Sequence, residues 1–275
     1  TLSYSKRKFR YHRRWKCWRN RIWRKFPLPR KDATKVTRTP SKASSSKATP
    51  KRIELKDLLR LRDLQPIEAA LLSSPLGFHV PFPSRQINSL YFDSNDFRAL
   101  EDSLSGASIR RKVRFRWYGR TECSSAPTLE FKCKQGHLSW KILQKTKFFI
   151  DFNANTWDAA FLNDEEKTIV DLSKTLPLSN SRPTTLVSYS RRYFESGDGR
   201  LRITLDEDLT FRDQTVYSGP NLLFFRHHPE KLVLEIKVAE KDSTLLHELY
   251  KTLPFVPRRF SKYCESLLGH LPRWV

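Results

Sequence analysis

In the stretch KVRFRWYG, residues 112–119, Lys112, Arg114, Arg116 and Tyr118 alternate with Val113, Phe115 and Trp117. A period of two is that of a β-strand with one dry face. The other face is cationic, with no acid interleaved. Guanidinium forks match the oxygens of phosphate, and Lys supplies compact positive charge. The chemistry open to such a row is the holding of a strongly anionic group.

The same pattern recurs down the chain. Glu130, Lys132 and Lys134 share a face in TLEFKCKQ, and Lys141 and Lys145 share one in WKILQK. Tyr189 and Arg191 alternate in LVSYSRRYF, Arg200, Arg202, Thr204 and Asp206 in RLRITLDED, and Glu235 and Lys237 in KLVLEIKV. An open sheet with its charged face in water explains any one of these strands. Across six it explains them less well, because a solubilising surface mixes signs. Here cations dominate, with Glu130, Asp206 and Glu235 as the acids among them.

The alternative turns the charged faces inward, to line a tunnel, and the apolar faces outward under helices. Two lysines about 6 Å apart at an effective dielectric of about 20 repel by roughly 3 kcal/mol. Such a lumen therefore calls for bound anion or water, and phosphate is the natural anion.

The elements that must position these residues are legible. Strands are expected at 51–56, 85–93, 109–118, 127–134, 138–149, 184–194, 199–211 and 231–239. Helices are expected at 64–73, 95–103, 156–174, 243–252 and 258–269. Eight strands with mostly short connections point to an α+β fold: a closed antiparallel barrel with helices packed outside.

Charge divides the chain. The formal net charge of its 275 residues is +23. Residues 1–50 carry seventeen Lys or Arg against the single acid Asp32, a net of +16, which leaves +7 for residues 51–275. In residues 1–31, Tyr11, Trp15, Trp18, Ile22 and Phe26 recur at helical steps, with Arg and Lys between them and Pro27 and Pro29 to stop the helix. A short basic amphipathic helix with Trp on its apolar face suits an anionic membrane surface; the plain alternative is a basic solubilising arm. Residues 32–50, rich in Ser, Thr, Lys and Pro, read as a linker. The expected domains are thus 1–31, 32–50 and 51–275.

Several chemistries are disfavoured. No glycine-rich GxxxxGK phosphate loop is present. Cys17, Cys123, Cys133 and Cys264 have neither metal-site nor paired spacing, which suits a reduced, cytoplasmic protein. His227 and His228 are adjacent, poor spacing for shared metal ligation, and are expected in a loop. Tyr91 and Asp93 of YFDS are expected to stabilise a strand end, and Trp117 and Trp157 to be core.

Eight stretches in order resemble one family: RIELK, INSLYFDS, KVRFRWYG, LEFK, YSRRYF, LRITLDEDL, LVLEIKV and RRFSKY. They span about residues 51–265 and are similar to the VTC domain, the catalytic type of domain in vacuolar transporter chaperone polyphosphate polymerases, within the triphosphate tunnel metalloenzymes. The resemblance implies a nucleoside triphosphate substrate, ATP first, a growing polyphosphate chain, and Mn²⁺ or Mg²⁺. It implies that Lys56, Arg114, Arg116, Lys132, Lys141, Arg191 and Arg202 bind phosphates, and that Lys262 closes the tunnel from a C-terminal helix. Tyr189 would lie beside the phosphate chain and Glu235 would hold the metal, with Glu54, Glu130 and Asp206 as auxiliary acids. Lys112, Lys134 and Lys237, on the same faces, are expected to add phosphate contacts.

The chain departs from the family in two places. The tunnel hydrolases carry Glu-x-Glu-x-Lys on the first strand, where this chain has Arg52, Glu54 and Lys56. Asp57 stands where the VTC pattern usually has an aromatic. Fewer carboxylates leave less to activate water, which favours transfer onto phosphate over hydrolysis. A tunnel triphosphatase or polyphosphatase, and a polyphosphate-binding subunit without turnover, are the alternatives. Sequence-specific nucleic-acid binding is not expected. Membrane-protein partners and a peripheral position at a membrane are.

Overall fold

Alternating side chains build long strands in this structure, a computed structural model that describes residues 47–122, 124–147, 149–161, 181–253 and 255–269. The barrel strands are β2 (Arg52–Arg60), β3 (Arg85–Ser94), β4 (Ile109–Tyr118), β6 (Thr128–Gln135), β7 (Leu138–Lys145), β9 (Ser181–Glu195), β10 (Leu201–Asp213) and β12 (Lys231–Val238). Four shorter strands lie outside this set: β1 (Lys47–Ala48), β5 (Ser124–Ser125), β8 (Phe149–Ile150) and β11 (Arg226–His228). The helices are α1 (Leu64–Leu72), α2 (Arg98–Ser105), α3 (Trp157–Phe161), α4 (Leu245–Thr252) and α5 (Lys262–Leu268).

The pairing order is β2, β12, β10, β9, β3, β4, β6, β7, all antiparallel. The ring closes where Arg52 and Ile53 of β2 meet Ser139 and Leu138 of β7. The expected eight-stranded barrel is therefore present. A two-residue turn through Gly136, at φ 57°, joins β6 to β7; that left-handed backbone favours glycine.

The outward faces are apolar and covered. Leu64, Ile67 and Leu71 of α1 and Leu249 of α4 pack on Leu201, Ile203, Leu205, Leu232, Leu234 and Ile236. Val113, Phe115, Trp117, Leu129 and Phe131 pack under Ile150, Phe152 and Trp157. Trp117 and Trp157 are buried core residues, as expected. Truncating such a side chain to Ala costs about 3–5 kcal/mol.

The lumen is divided, which the alternation alone does not reveal. Val187, Tyr189, Leu209, Phe211 and Val233 form an apolar patch with Tyr263, Cys264 and Leu267 of α5. A bulge between Glu207 and Thr210, with Asp208 at φ 58°, inserts one residue into β10. Because side chains alternate with period two, that insertion re-aims Leu209 and Phe211 onto the face that Asp206 occupies. The C-terminal helix thus has an apolar seat at the end of the barrel.

Several boundaries shift for local reasons. Strand pairing begins at Lys47, inside the stretch read as linker, where Thr49 N donates to Lys141 O at 2.8 Å. The strand expected over 138–149 stops at Lys145, and Phe149–Ile150 pair separately with Ser124–Ser125. The helix expected at 258–269 starts at Lys262 because Asp57 holds the preceding segment extended: its Oδ2 accepts from Val256 N at 2.9 Å, and its Oδ1 pairs with Arg258. The adjacent histidines expected in a loop form β11 and pair with Asp208 and Glu230. The expected helix in residues 1–31, most of the linker, and the 162–174 part of the helix expected at 156–174 lie outside the described residues. Among the described residues, no helix is long and apolar enough to cross a membrane.

Candidate functional site

Antiparallel register turns single rows into a belt. Lys112 lies opposite Lys132, and Lys132 opposite Lys141, so three strands set three lysines side by side. One step along, Arg114 lies opposite Glu130. Across the barrel, Lys56 lies opposite Glu235 and Glu54 opposite Lys237. Arg191 lies opposite Asp206.

These side chains surround one cavity of about 780 Å³. Of the residues expected to act on phosphate, Lys56, Arg114, Arg116, Lys132, Arg191 and Lys262 line it. So do Lys112, Lys134, Lys141, Tyr189 and Lys237, together with Glu235 and Glu54. Arg202 does not: it sits at the rim, exposed, and its guanidinium pairs with Glu195 at 3.1 Å. Its register partner Lys237 does reach the cavity, but near the end of β10 the Arg202 side chain turns to Glu195 of β9 instead.

The carboxylates are tied to cations. Glu130 accepts from Arg114 at 2.6 and 2.9 Å, and meets Arg116 at 3.3 Å and Lys141 at 3.4 Å. Asp206 takes both arms of Arg191 and the ammonium of Lys262. Neither acid is on the cavity wall, so their place is behind it, holding arginines in position. Glu54 pairs with Arg52 and Lys132. Glu235 lies 3.4 Å from Lys237, 3.6 Å from Arg191 and 3.9 Å from Lys56.

Cations remain in surplus. Arg110, Lys134 and Arg259 line the cavity without a carboxylate partner among the described residues. Arg116 Nε is buried and unpartnered. Lys112 donates to Ser261 Oγ at 2.8 Å and sits 3.7 Å from Cys264 Sγ.

Titration follows from this crowding. Burial, with Lys56 and Lys132 nearby, pushes Lys112 down to about 8. Burial also takes Lys237 down to about 8 against the pull of Glu235. Burial and Arg116 hold Lys141 well below the usual lysine range. Burial works against the charge on Lys56 too, but Glu235 and Glu54 outweigh it and raise that lysine. Asp206 is held at about 2: burial opposes ionisation, and Arg191 and Lys262 overcome it.

The wall also includes residues the sequence did not single out for phosphate. Tyr91 lines the cavity, and its hydroxyl accepts from Arg114 at 2.7 Å, so it does more than end a strand. Its neighbour Asp93 does act at the strand end, accepting from the amides of Ala99 and Leu100 of α2 and from Tyr263. Arg110 continues the alternation of β4 and was there to be found. Arg258 and Arg259 arrive on a loop, with no periodicity to flag them.

The sequence matches the VTC domain over residues 20–269. The chain belongs to the VTC domain family. Comparison with curated proteins gives no match. Among solved structures, this VTC domain is similar to a putative adenylate cyclase from Bacillus halodurans, at 18% identity and TM-score 0.44, over 76% of this chain and 95% of that one. It is similar to a protein from Pyrococcus horikoshii OT3 at 15% identity and TM-score 0.45, over 80% and 99%. A putative adenylyl cyclase from Hippeastrum, described as having a dominant triphosphatase activity, matches at 17% identity and TM-score 0.45, over 81% and 98%.

Divalent metal is the usual cofactor of tunnel metalloenzymes. Among the described residues, no group of three or more His, Cys, Asp and Glu could hold a metal ion alone. Glu235 and Glu54 are the barrel carboxylates that reach the cavity; burial and the Glu235 charge oppose ionisation of Glu54, and Lys132 with its neighbouring lysines overcomes them and holds it low. Mg²⁺ commonly takes one or two carboxylates and completes its shell with water and substrate phosphate. The pair Glu235 and Glu54 fits that pattern.

Proposed function

We propose that this VTC domain is a polyphosphate polymerase that transfers the terminal phosphoryl group of a nucleoside triphosphate, ATP first, onto a growing polyphosphate chain. The observation that carries the reading is the cavity wall itself. Thirteen Lys and Arg line it, against Glu54, Glu235 and Glu265. Phosphoryl transfer asks a protein for in-line positioning and neutralisation of charge on the moving group, and for little covalent chemistry.

In this reading the terminal phosphate of the chain attacks the γ-phosphorus, and the nucleoside diphosphate leaves. Arg114, Arg116 and Arg191, fixed by Glu130 and Asp206, fork onto the phosphate oxygens. Lys56, Lys112, Lys132, Lys141 and Lys237 supply mobile charge along the chain, and Lys134 extends it. Lys262 closes the site from α5. Glu235, with Glu54, would hold Mn²⁺ or Mg²⁺, which adds charge neutralisation. Glu130 and Asp206 are reassigned from auxiliary metal ligands to positioning acids, since they hold arginines from behind the cavity wall, whereas Glu54 and Glu235 reach the cavity.

Two paired carboxylates leave little to orient a hydrolytic water, which favours transfer over hydrolysis. Incubation with ATP and Mn²⁺, followed by gel analysis, tests this. Long-chain polyphosphate is the expected product. Free phosphate alone would make the protein a triphosphatase, and binding without turnover would make it a polyphosphate-holding subunit. For residues 1–31 we propose contact with an anionic membrane surface.

A further inference from the structure

We propose that Phe82, Arg85, Tyr118 and Tyr193 form a nucleobase-binding site at one mouth of the barrel. The inference rests on the reading of the cavity as a triphosphate site, and it concerns the other end of the substrate. The Arg85 guanidinium lies 4.9 Å from the Phe82 ring centre, 5.8 Å from that of Tyr193 and 5.9 Å from that of Tyr118. Phe82 meets Tyr193 edge to face at 5.8 Å. Phe82 is 49% exposed and Tyr118 54%. Arg85 has no carboxylate partner among the described residues, so its outward N–H groups are available to a ligand.

The cluster continues the rows that line the cavity. Arg191 and Tyr193 are successive positions on one face of β9, and Arg116 and Tyr118 on one face of β4. Arg85 is the register partner of Arg191. A two-residue step along a strand is about 7 Å, comparable to a ribose with its 5′ linkage. A base on the rings therefore leaves its phosphates at Arg116 and Arg191. Aromatic rings and guanidinium planes stack bases of any identity, and a ring already braced by an arginine loses little freedom on doing so.

The two mouths differ in kind. Arg110, Lys134, Arg258 and Arg259 line the cavity toward the opposite end of the barrel, Arg110 and Tyr118 lying near the two ends of β4, and there they offer charge. That chemistry suits a polymer with no bases. Rings at one mouth and cations at the other give the nucleotide one side and the chain the opposite side.

Titration calorimetry with ATP and with inorganic tripolyphosphate tests the assignment on the full chain. Phe82→Ala and Tyr118→Ala should each weaken ATP binding about three- to tenfold, the effect expected of one lost stacking partner. Tripolyphosphate affinity should stay within about twofold of the parent, since a ligand without a base loses no stacking. Tyr118→Phe, which keeps the ring, should restore ATP binding. Unchanged ATP affinity in both Ala variants would overturn the site, as would equal losses for the two ligands. A parent protein that binds tripolyphosphate but not ATP would overturn the nucleobase site alone. Binding of neither would overturn the triphosphate reading with it.

Discussion

Arg191 and Asp206 face each other across β9 and β10 as a two-pronged pair, Nε to Oδ1 at 2.5 Å and Nη2 to Oδ2 at 2.7 Å. Lys262 of α5 joins the same carboxylate. Removing one partner of a buried ion pair leaves charge uncompensated and typically costs about 3–5 kcal/mol. Asp206→Asn should therefore destabilise the protein by about that much, read as a lower midpoint of denaturant unfolding. Asp206 ionises at about 2 in the fold against a usual 3.8. Its contribution is thus complete above about pH 4 and is lost as pH falls from there through 2.

Lys112 and Lys237 also titrate low, but because burial disfavours their charged form. Each titrates at about 8, below the usual lysine value of 10.5. Between about pH 8 and 10.5 the unfolded chain holds more protons than the fold, so stability should rise with pH across that window. Affinity for phosphate polymers should fall over the same range, because the wall loses charge. Melting temperature measured with and without tripolyphosphate from pH 7 to 10 checks both trends. A parallel rise or a parallel fall would contradict the assignment.

Glu235→Gln removes a carboxylate that faces Lys56, Arg191 and Lys237. Metal-dependent turnover should drop by at least about a hundredfold, the scale of losing one stabilising group at a reacting centre. Tripolyphosphate binding should persist or tighten, since the three cations are freed for it. Retention of most activity with Mn²⁺ would show that the metal sits elsewhere.

Residues 1–31 should act apart from the barrel. Residues Ser44–Val275 form a compact unit by themselves, and strand pairing starts at Lys47. Each basic residue near an anionic bilayer contributes about 1 kcal/mol, and the Trp face adds hydrophobic anchoring. Deletion of 1–43 should abolish sedimentation with anionic liposomes and spare nucleotide turnover. Deletion to residue 50 should also lower the melting temperature, because it removes Thr49, whose Oγ1 accepts from Lys141 N at 2.9 Å. Equal liposome binding by the shorter protein would refute the anchor.

Period-two alternation carried most of the fold and the cavity wall. Lys112, Arg114 and Arg116 point one way because Val113, Phe115 and Trp117 must be covered, and that constraint is local. Ion pairing is not local. Glu130 and Asp206 looked like free acids, yet their partners are set by register with β4 and β9 and by a helix that arrives some fifty residues later in the chain. Arg202 obeyed the alternation and still missed the cavity, because its guanidinium turns to Glu195 on the neighbouring strand, a pairing that period does not announce. Asp57 broke the family pattern, and its role required the Val256 amide, which no spacing could announce.

The first long strand, β2, pairs with the last, β12. Lys56 and Glu235 meet only through that pairing, and Lys262 comes later still. Contacts so distant in sequence are slow to form, since the loop-closure entropy precedes any reward. A chain emerging from the ribosome therefore has no complete phosphate site until its last described helix is free. A complete anion site is a property this domain acquires late, once α5 has been made, and a product that stops short of α5 never possesses it.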